Sequence, residues 1–194
     1  MNTNTETPHT LTIPKLGLGT WKSTADELNL AIDTALQAGY RHIDCAPIYM
    51  NEKPLGQAIQ NACQSHHLKR EDLWITSKLW NSFHDPDHVV GALKETLHFM
   101  QLDYLDLYLM HWPVAAHPSV GYRRVTSGKQ LVSLDDIPLE DTWMAMQECQ
   151  QQGLVHHLGV SNFSISKIQR LIDKTNCKPR ANQFECHPYL TQQD

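Results

Sequence analysis

The sequence predicts an α/β protein built as a (β/α)8 barrel, the TIM barrel, present here to about six strand–helix units. Three observations predict it. Short apolar stretches alternate with stretches of helical period along the chain. The connections are long enough for parallel crossovers. Ionisable or amide residues stand where successive strands end, at Asp44, Lys78, His111 and Asn162. That last pattern is how such a barrel builds a site at the carboxyl ends of its strands.

Thr10 to Trp21 reads as a short hairpin arm leading into a first strand, Leu16 to Thr20. Ser23 and Thr24 each precede an acid by three residues, Asp26 and Glu27, a capping-box spacing. The helix they open carries Leu28, Ala31, Ile32 and Ala35 on one face and stops at Gly39. A second strand, His42 to Asp44, runs into a loop holding Tyr49. A second helix begins near Glu52, with Pro54 tolerable only in its first turn.

Leu73 to Leu79 reads as the third strand. Asp85-Pro86 caps the third helix, which carries Val90, Leu93, Leu97 and Met100. The fourth strand, Leu105 to Met110, is mostly apolar, as in sheets buried on both faces, and ends at His111-Trp112-Pro113. Residues 114 to 138 show little periodicity, and loops of that length are usually functional or mobile. A fourth helix, Leu139 to Gln152, closes at Gly153. A fifth strand, Val155 to Val160, ends at Ser161-Asn162. Ser164 caps a fifth helix, and Ala181 to Glu185 reads as the sixth strand. Thr191 to Asp194 has the spacing of another helix start. Residues 1–194 thus read as one domain, a partial barrel without its seventh and eighth strands.

Composition narrows the function. The 194 residues are 41% hydrophobic with a net charge of −5, which argues against the basic face that nucleic acids require. No apolar run is long enough to span a membrane, and Met1 to Thr10 lacks the layout of a signal peptide. The five cysteines are odd in number and form no C-x-x-C pair. Reduced thiols and a cytoplasmic location are therefore expected. No metal site is expected from the twelve histidines. His66-His67 and His156-His157 are adjacent and cannot share a face, and Pro86 separates His84 from His88.

Five runs together resemble the aldo-keto reductase family. They are Gly17-Leu18-Gly19-Thr20-Trp21; Gly39 to Asp44 with Tyr49 and Asn51-Glu52; Leu102 to Pro113; Gly153 to Phe163; and Asn182 to Tyr189. The resemblance implies reduction of an aldehyde or ketone by NADPH. It assigns catalysis to Asp44, Tyr49, Lys78 and His111. Tyr49 would donate the proton, Lys78 would lower the phenol's pKa, Asp44 would hold the ammonium, and His111 would orient the carbonyl. It assigns cofactor binding to Gly19, Thr20, Trp21, Asp44, Ser161, Asn162 and Gln183, and a substrate pocket to Trp21, Trp80, His111 and Trp112. Gly17-Leu18-Gly19 fails as a dinucleotide fingerprint, because the third glycine position holds Lys22.

Simpler roles exist for each residue alone. Ser161-Asn162 could merely cap the next helix, and Trp80 could be packing. Trp74 and Trp143 are expected in the core. In the family, later strands supply an aromatic against the nicotinamide and basic residues for the 2′-phosphate. The full-length form is expected to be a monomer; for the present chain three outcomes stand open: a fragment of a full enzyme, a sheet completed by a partner or by self-association through its open edges, or a non-catalytic relative. A second function class, a catalytically inactive binding or structural subunit, stands beside the reductase. The complete set Asp44, Tyr49, Lys78 and His111 favours the reductase.

Overall fold

A computed structural model describes residues 12–193. Six parallel strands form one sheet in the order β1-β2-β3-β4-β7-β8. Their ranges are β1 (Gly17–Gly19), β2 (His42–Asp44), β3 (Trp74–Leu79), β4 (Leu105–Met110), β7 (Val155–Ser161) and β8 (Asn182–Gln183). Helices α1 (Ala25–Gln37), α2 (Glu52–Ser65), α3 (Pro86–Met100), α4 (Leu139–Gln151) and α5 (Ile165–Thr175) connect them. Spatial order follows chain order, as in a βα barrel.

Strand pairing decides which residues share a face. Gly19 lies opposite Asp44, Lys78 opposite Leu109, Leu109 opposite Gly159, and Ser161 opposite Gln183. Side chains alternate along a strand, so these residues point to one side. The alternate set, including Ile43, Ile75, Leu79, Tyr108, Met110, Leu158 and Val160, packs against the helices. Leu28, Ile32 and Leu36 of α1, Leu55 and Ile59 of α2, Leu93 of α3, Trp143 of α4 and Leu171 of α5 complete that core. Gly56 lets α2 approach α3: a Cβ there would lie 2.5 Å from the Met100 carbonyl oxygen.

The helix boundaries follow local chemistry. Of the two candidate caps, Thr24 starts α1. Its hydroxyl accepts from the Glu27 amide, and the Glu27 carboxylate accepts from the Thr24 amide at 2.7 Å. Gly39 follows the helix at φ +92°, a conformation that favours glycine. Asp85 caps α3 with Pro86 as the first helical residue, and Ser164 caps α5.

Several expectations need correction. Residues 12–16 carry no strand, so no hairpin arm is present there, and the arm's start lies outside the described residues, as do Met1–Thr10 and Asp194. The first strand is Gly17–Gly19, and the last is Asn182–Gln183 rather than five residues. Residues 114 to 138 are not without regular structure. β5 (Ala115–Ala116) and β6 (Leu131–Val132) pair antiparallel, and single 3-10 turns occupy Pro118–Val120 and Gly128–Gln130. Strands of two residues are too short to show a period. Trp143 is core, but Trp74 is only half-buried: it stacks on His157, with ring centroids 5.5 Å apart. It stands opposite His42, on the face away from the helices.

Candidate active site

Asp44, the last residue of β2, holds two partners from distant strands. Its Oδ1 accepts from Lys78 Nζ at 2.5 Å, and its Oδ2 accepts from Gln183 Nε2 at 2.7 Å. Lys78, near the end of β3, is 1% exposed. Its ammonium also donates to the Cys45 carbonyl at 2.9 Å and to the Tyr49 hydroxyl at 3.5 Å. Three donors meet three acceptors, which is what makes a buried ammonium tolerable. Burial pulls the lysine pKa down, but Asp44 outweighs it with help from Tyr49, and the net direction is up. Lys78 is therefore a cation near neutral pH.

Tyr49 sits in a single 3-10 turn, Pro47–Tyr49, directly after β2. Asn51 fastens that loop to the end of β1. Its amide donates to the Thr20 carbonyl at 2.9 Å and to the Ser23 carbonyl at 3.1 Å. Lys78 pulls the phenol's pKa down, as expected, but it does not set the net direction. Burial raises it, and the pull of Lys78 in the other direction is smaller. The resting phenol keeps its proton.

His111 follows β4 and faces Tyr49 edge-on, with ring centroids 6.3 Å apart, and Trp80 at 5.1 Å. Burial first, then Lys78 and His84, lowers its pKa to about 3, so the ring is neutral. Its Nδ1 is buried without a partner. A proton there would be an unsatisfied donor, which favours the tautomer protonated at Nε2.

The expected cofactor residues adjoin this cluster. Gln183 joins it directly through Asp44. The Ser161 hydroxyl donates to the Gln183 carbonyl at 2.8 Å, and the Asn162 amide donates to the His111 carbonyl at 3.0 Å. Asn162 holds φ +62° at the turn out of β7. Thr20 donates to the Asp44 carbonyl from its amide and its hydroxyl. A Cβ on Gly19 would meet nothing within 4 Å, so space lies open beside Asp44.

Trp21, Trp80 and Trp112 line one cavity of about 550 Å³ with Tyr49 and His111. Trp21 and Trp112 are half-exposed, whereas Trp80 is buried. The Trp80 indole donates to the Arg123 carbonyl at 3.0 Å and so ties the long loop over the cavity. Among the described residues, no group of three or more His, Cys, Asp or Glu could hold a metal, and no helix is long and apolar enough to cross a membrane. Sequence reasoning assigned no role to Asn51, Asn81 or Arg124. The Asn51-Glu52 pair at a helix start was a usable signal for the first; the other two lie in stretches without period.

The family model described as the Aldo/keto reductase family matches residues 15–194. The chain belongs to the aldo/keto reductase family. An aldo/keto reductase of Synechocystis sp. is 50% identical over 182 residues, covering 94% of this chain and 55% of that protein. Aldo-keto reductase family 1 member A1 of Xenopus tropicalis is 46% identical over 191 residues, covering 94% and 56%. The chain thus spans about half the length of the curated relatives it matches. Aldose reductase from Schistosoma japonicum superposes with a TM-score of 0.81 at 44% identity, covering 91% of this chain and 58% of that one. An aldo-keto reductase from Bombyx mori, solved in complex with NADP, superposes with a TM-score of 0.81 at 39% identity, covering 93% and 57%. The six strands described above therefore correspond to part of an aldo-keto reductase barrel.

Proposed function

We propose that this chain carries the catalytic centre of an NADPH-dependent reductase of aldehydes and ketones. One observation carries the proposal. A buried ammonium, held by Asp44 and the Cys45 carbonyl, reaches the hydroxyl of Tyr49 at the floor of an aromatic cavity.

The bound cofactor supplies a hydride to the carbonyl carbon; the protein supplies everything at the oxygen. His111 Nε2–H donates a hydrogen bond to that oxygen and orients it. Charge builds on the oxygen as the carbonyl is reduced, and the Tyr49 hydroxyl proton moves to it. The phenolate left behind lies beside Lys78, whose charge Asp44 maintains. A cation at that spot stabilises the step where negative charge appears, although it does not ionise the resting phenol. Burial strengthens this interaction. The trigger is therefore charge development on substrate rather than a pre-ionised tyrosine.

Ser161, Asn162 and Gln183 offer the hydroxyl and amides that suit a nicotinamide carboxamide. The open space at Gly19 and the exposed indole of Trp21 are consistent with a cofactor lying beside Asp44. The relative solved with NADP supports the same cofactor here.

The test is Tyr49→Phe. NADPH binding, followed by its fluorescence, should persist, and aldehyde-dependent NADPH oxidation should vanish. Turnover retained by the variant would refute the donor role. Absence of NADPH binding by the unaltered chain would refute the cofactor assignment and favour a binding or structural role.

A further inference from the structure

His84 lies outside the cluster of Asp44, Tyr49, Lys78 and His111, yet it is buried as deeply as the core. It is 1% exposed, and among the described residues neither ring nitrogen has a protein hydrogen-bond partner. Burial brings its pKa down to about 3, so the ring is neutral, with a proton on one nitrogen and a lone pair on the other. Buried polar groups are rarely left so, because each unmet one is costly.

The pairing of β3 with β4 shapes its surroundings. The His111 amide donates to the Leu79 carbonyl at 3.1 Å, so the two chains leave the sheet side by side. After β3 comes a single 3-10 turn, Asn81–Phe83, and then His84. After β4 comes His111 and then β5, which lies against that turn. Trp80, at the head of the turn, meets the His111 ring edge-on with centroids 5.1 Å apart, and Asn81 lines the same cavity as His111. A charge on His84 is near enough to act on the His111 ring. The Thr142 hydroxyl of α4 donates to the His84 carbonyl at 2.6 Å and fixes the backbone that carries the imidazole.

Two more buried atoms at this junction have no protein partner, Asn81 Oδ1 and His111 Nδ1. Their residues are 4% and 8% exposed. The count suits one buried water, which typically makes about three hydrogen bonds to such groups. Its two protons would go to Asn81 Oδ1 and His111 Nδ1, and its oxygen would accept the His84 ring proton. With the proton of His111 on Nδ1 instead, the water would face two donors and keep one proton without a taker.

We propose that His84 is a positioning residue that acts on His111 through an ordered water, keeping His111 Nδ1 bare and the proton on Nε2. The consequence for rate rests on the reductase reading, in which Nε2–H holds the substrate oxygen; the tautomer itself does not.

The experiment is nitrogen-15 NMR of the imidazole rings in the full chain, in His84→Gln, which keeps a donor and an acceptor, and in His84→Phe, which keeps a ring and loses both. His111 should be protonated at Nε2 in the unaltered chain and in His84→Gln. In His84→Phe the tautomer ratio should move about tenfold toward Nδ1–H, the worth of one hydrogen bond. An unmoved tautomer in His84→Phe overturns the proposal, as does a His84→Gln variant that behaves like His84→Phe, since that would be packing alone. Aldehyde-dependent kcat should fall in His84→Phe and recover in His84→Gln, with NADPH affinity unchanged; a fall without a change of tautomer overturns the proposal. If the unaltered chain reduces no aldehyde, the reductase reading fails and the tautomers alone decide. If His84→Phe does not fold, the unaltered chain decides: the His84 ring proton should show a nuclear Overhauser effect to a long-lived water, and its absence overturns the proposal.

Discussion

Replacing Glu52 with Gln should change how stability depends on pH more than it changes activity. Glu52 is the first residue of α2 and is 5% exposed. Its two oxygens accept from Ser77 Oγ at 3.0 Å and Thr96 Oγ1 at 3.2 Å. Burial raises its pKa to about 7; those two hydrogen bonds pull the other way without prevailing. The folded protein therefore keeps this proton in a range where the unfolded chain, near 4.5, has lost it. The contribution to stability is complete below about pH 4.5 and is lost as pH rises to about 7. At about 1.4 kcal/mol per tenfold change in proton affinity, the loss is about 3 kcal/mol. Glu52→Gln removes the titration. Relative to the unaltered protein, the variant should gain about 2–3 kcal/mol between about pH 5 and about pH 8 in urea unfolding experiments. Unfolding midpoints that shift in parallel across that range would refute the assignment of a raised pKa to Glu52.

His84 and His111 act in the opposite sense. Burial brings both to about 3, so stability should fall as pH drops below the unfolded value near 6.5. Imidazole NMR signals of both should show no titration above about pH 5, and a midpoint near 6 in either ring would contradict this. Gly56→Ala forces a Cβ against the Met100 carbonyl and should lower stability by about 1–3 kcal/mol; an unchanged thermal midpoint would show that α2 and α3 can part freely. Asn51→Ala removes the hydrogen bonds from the Tyr49 loop to the Thr20 and Ser23 carbonyls. A loss of about 1–2 kcal/mol is expected in denaturant unfolding, and no loss would mean that the loop needs no such fastening.

Helices were legible because their signals are local. Thr24 with Glu27, Asp85 with Pro86, and Ser164 each announce a start within four residues, and the structure places α1, α3 and α5 there. β3 and β4 were legible because six consecutive residues carry a burial pattern. β5 and β6 were not, since two residues have no period, and the loop between them is tied down by Trp80 and Ser82 from an earlier part of the chain. The strand-end residues Asp44, Lys78 and His111 could be picked out by position alone. The direction of the Tyr49 pKa could not, because it depends on how much water the folded loop excludes.

The bond between Gln183 and Asp44 joins residues 139 apart, whereas the one between Lys78 and Asp44 spans 34. Each doubling of a closed loop costs about 0.6 kcal/mol in chain entropy, so the later bond is the more demanding by about 1 kcal/mol. Assembly should accordingly be ordered in time. The ammonium can find its carboxylate once β2 and β3 have met, while the second carboxylate oxygen stays with water until β8 arrives. In pulsed hydrogen exchange during refolding, the Cys45 amide, bonded to Thr76, should gain protection before the Asn162 amide, bonded to Gln183. The centre is half made early and finished last, with its charge pair exposed to solvent in the interval.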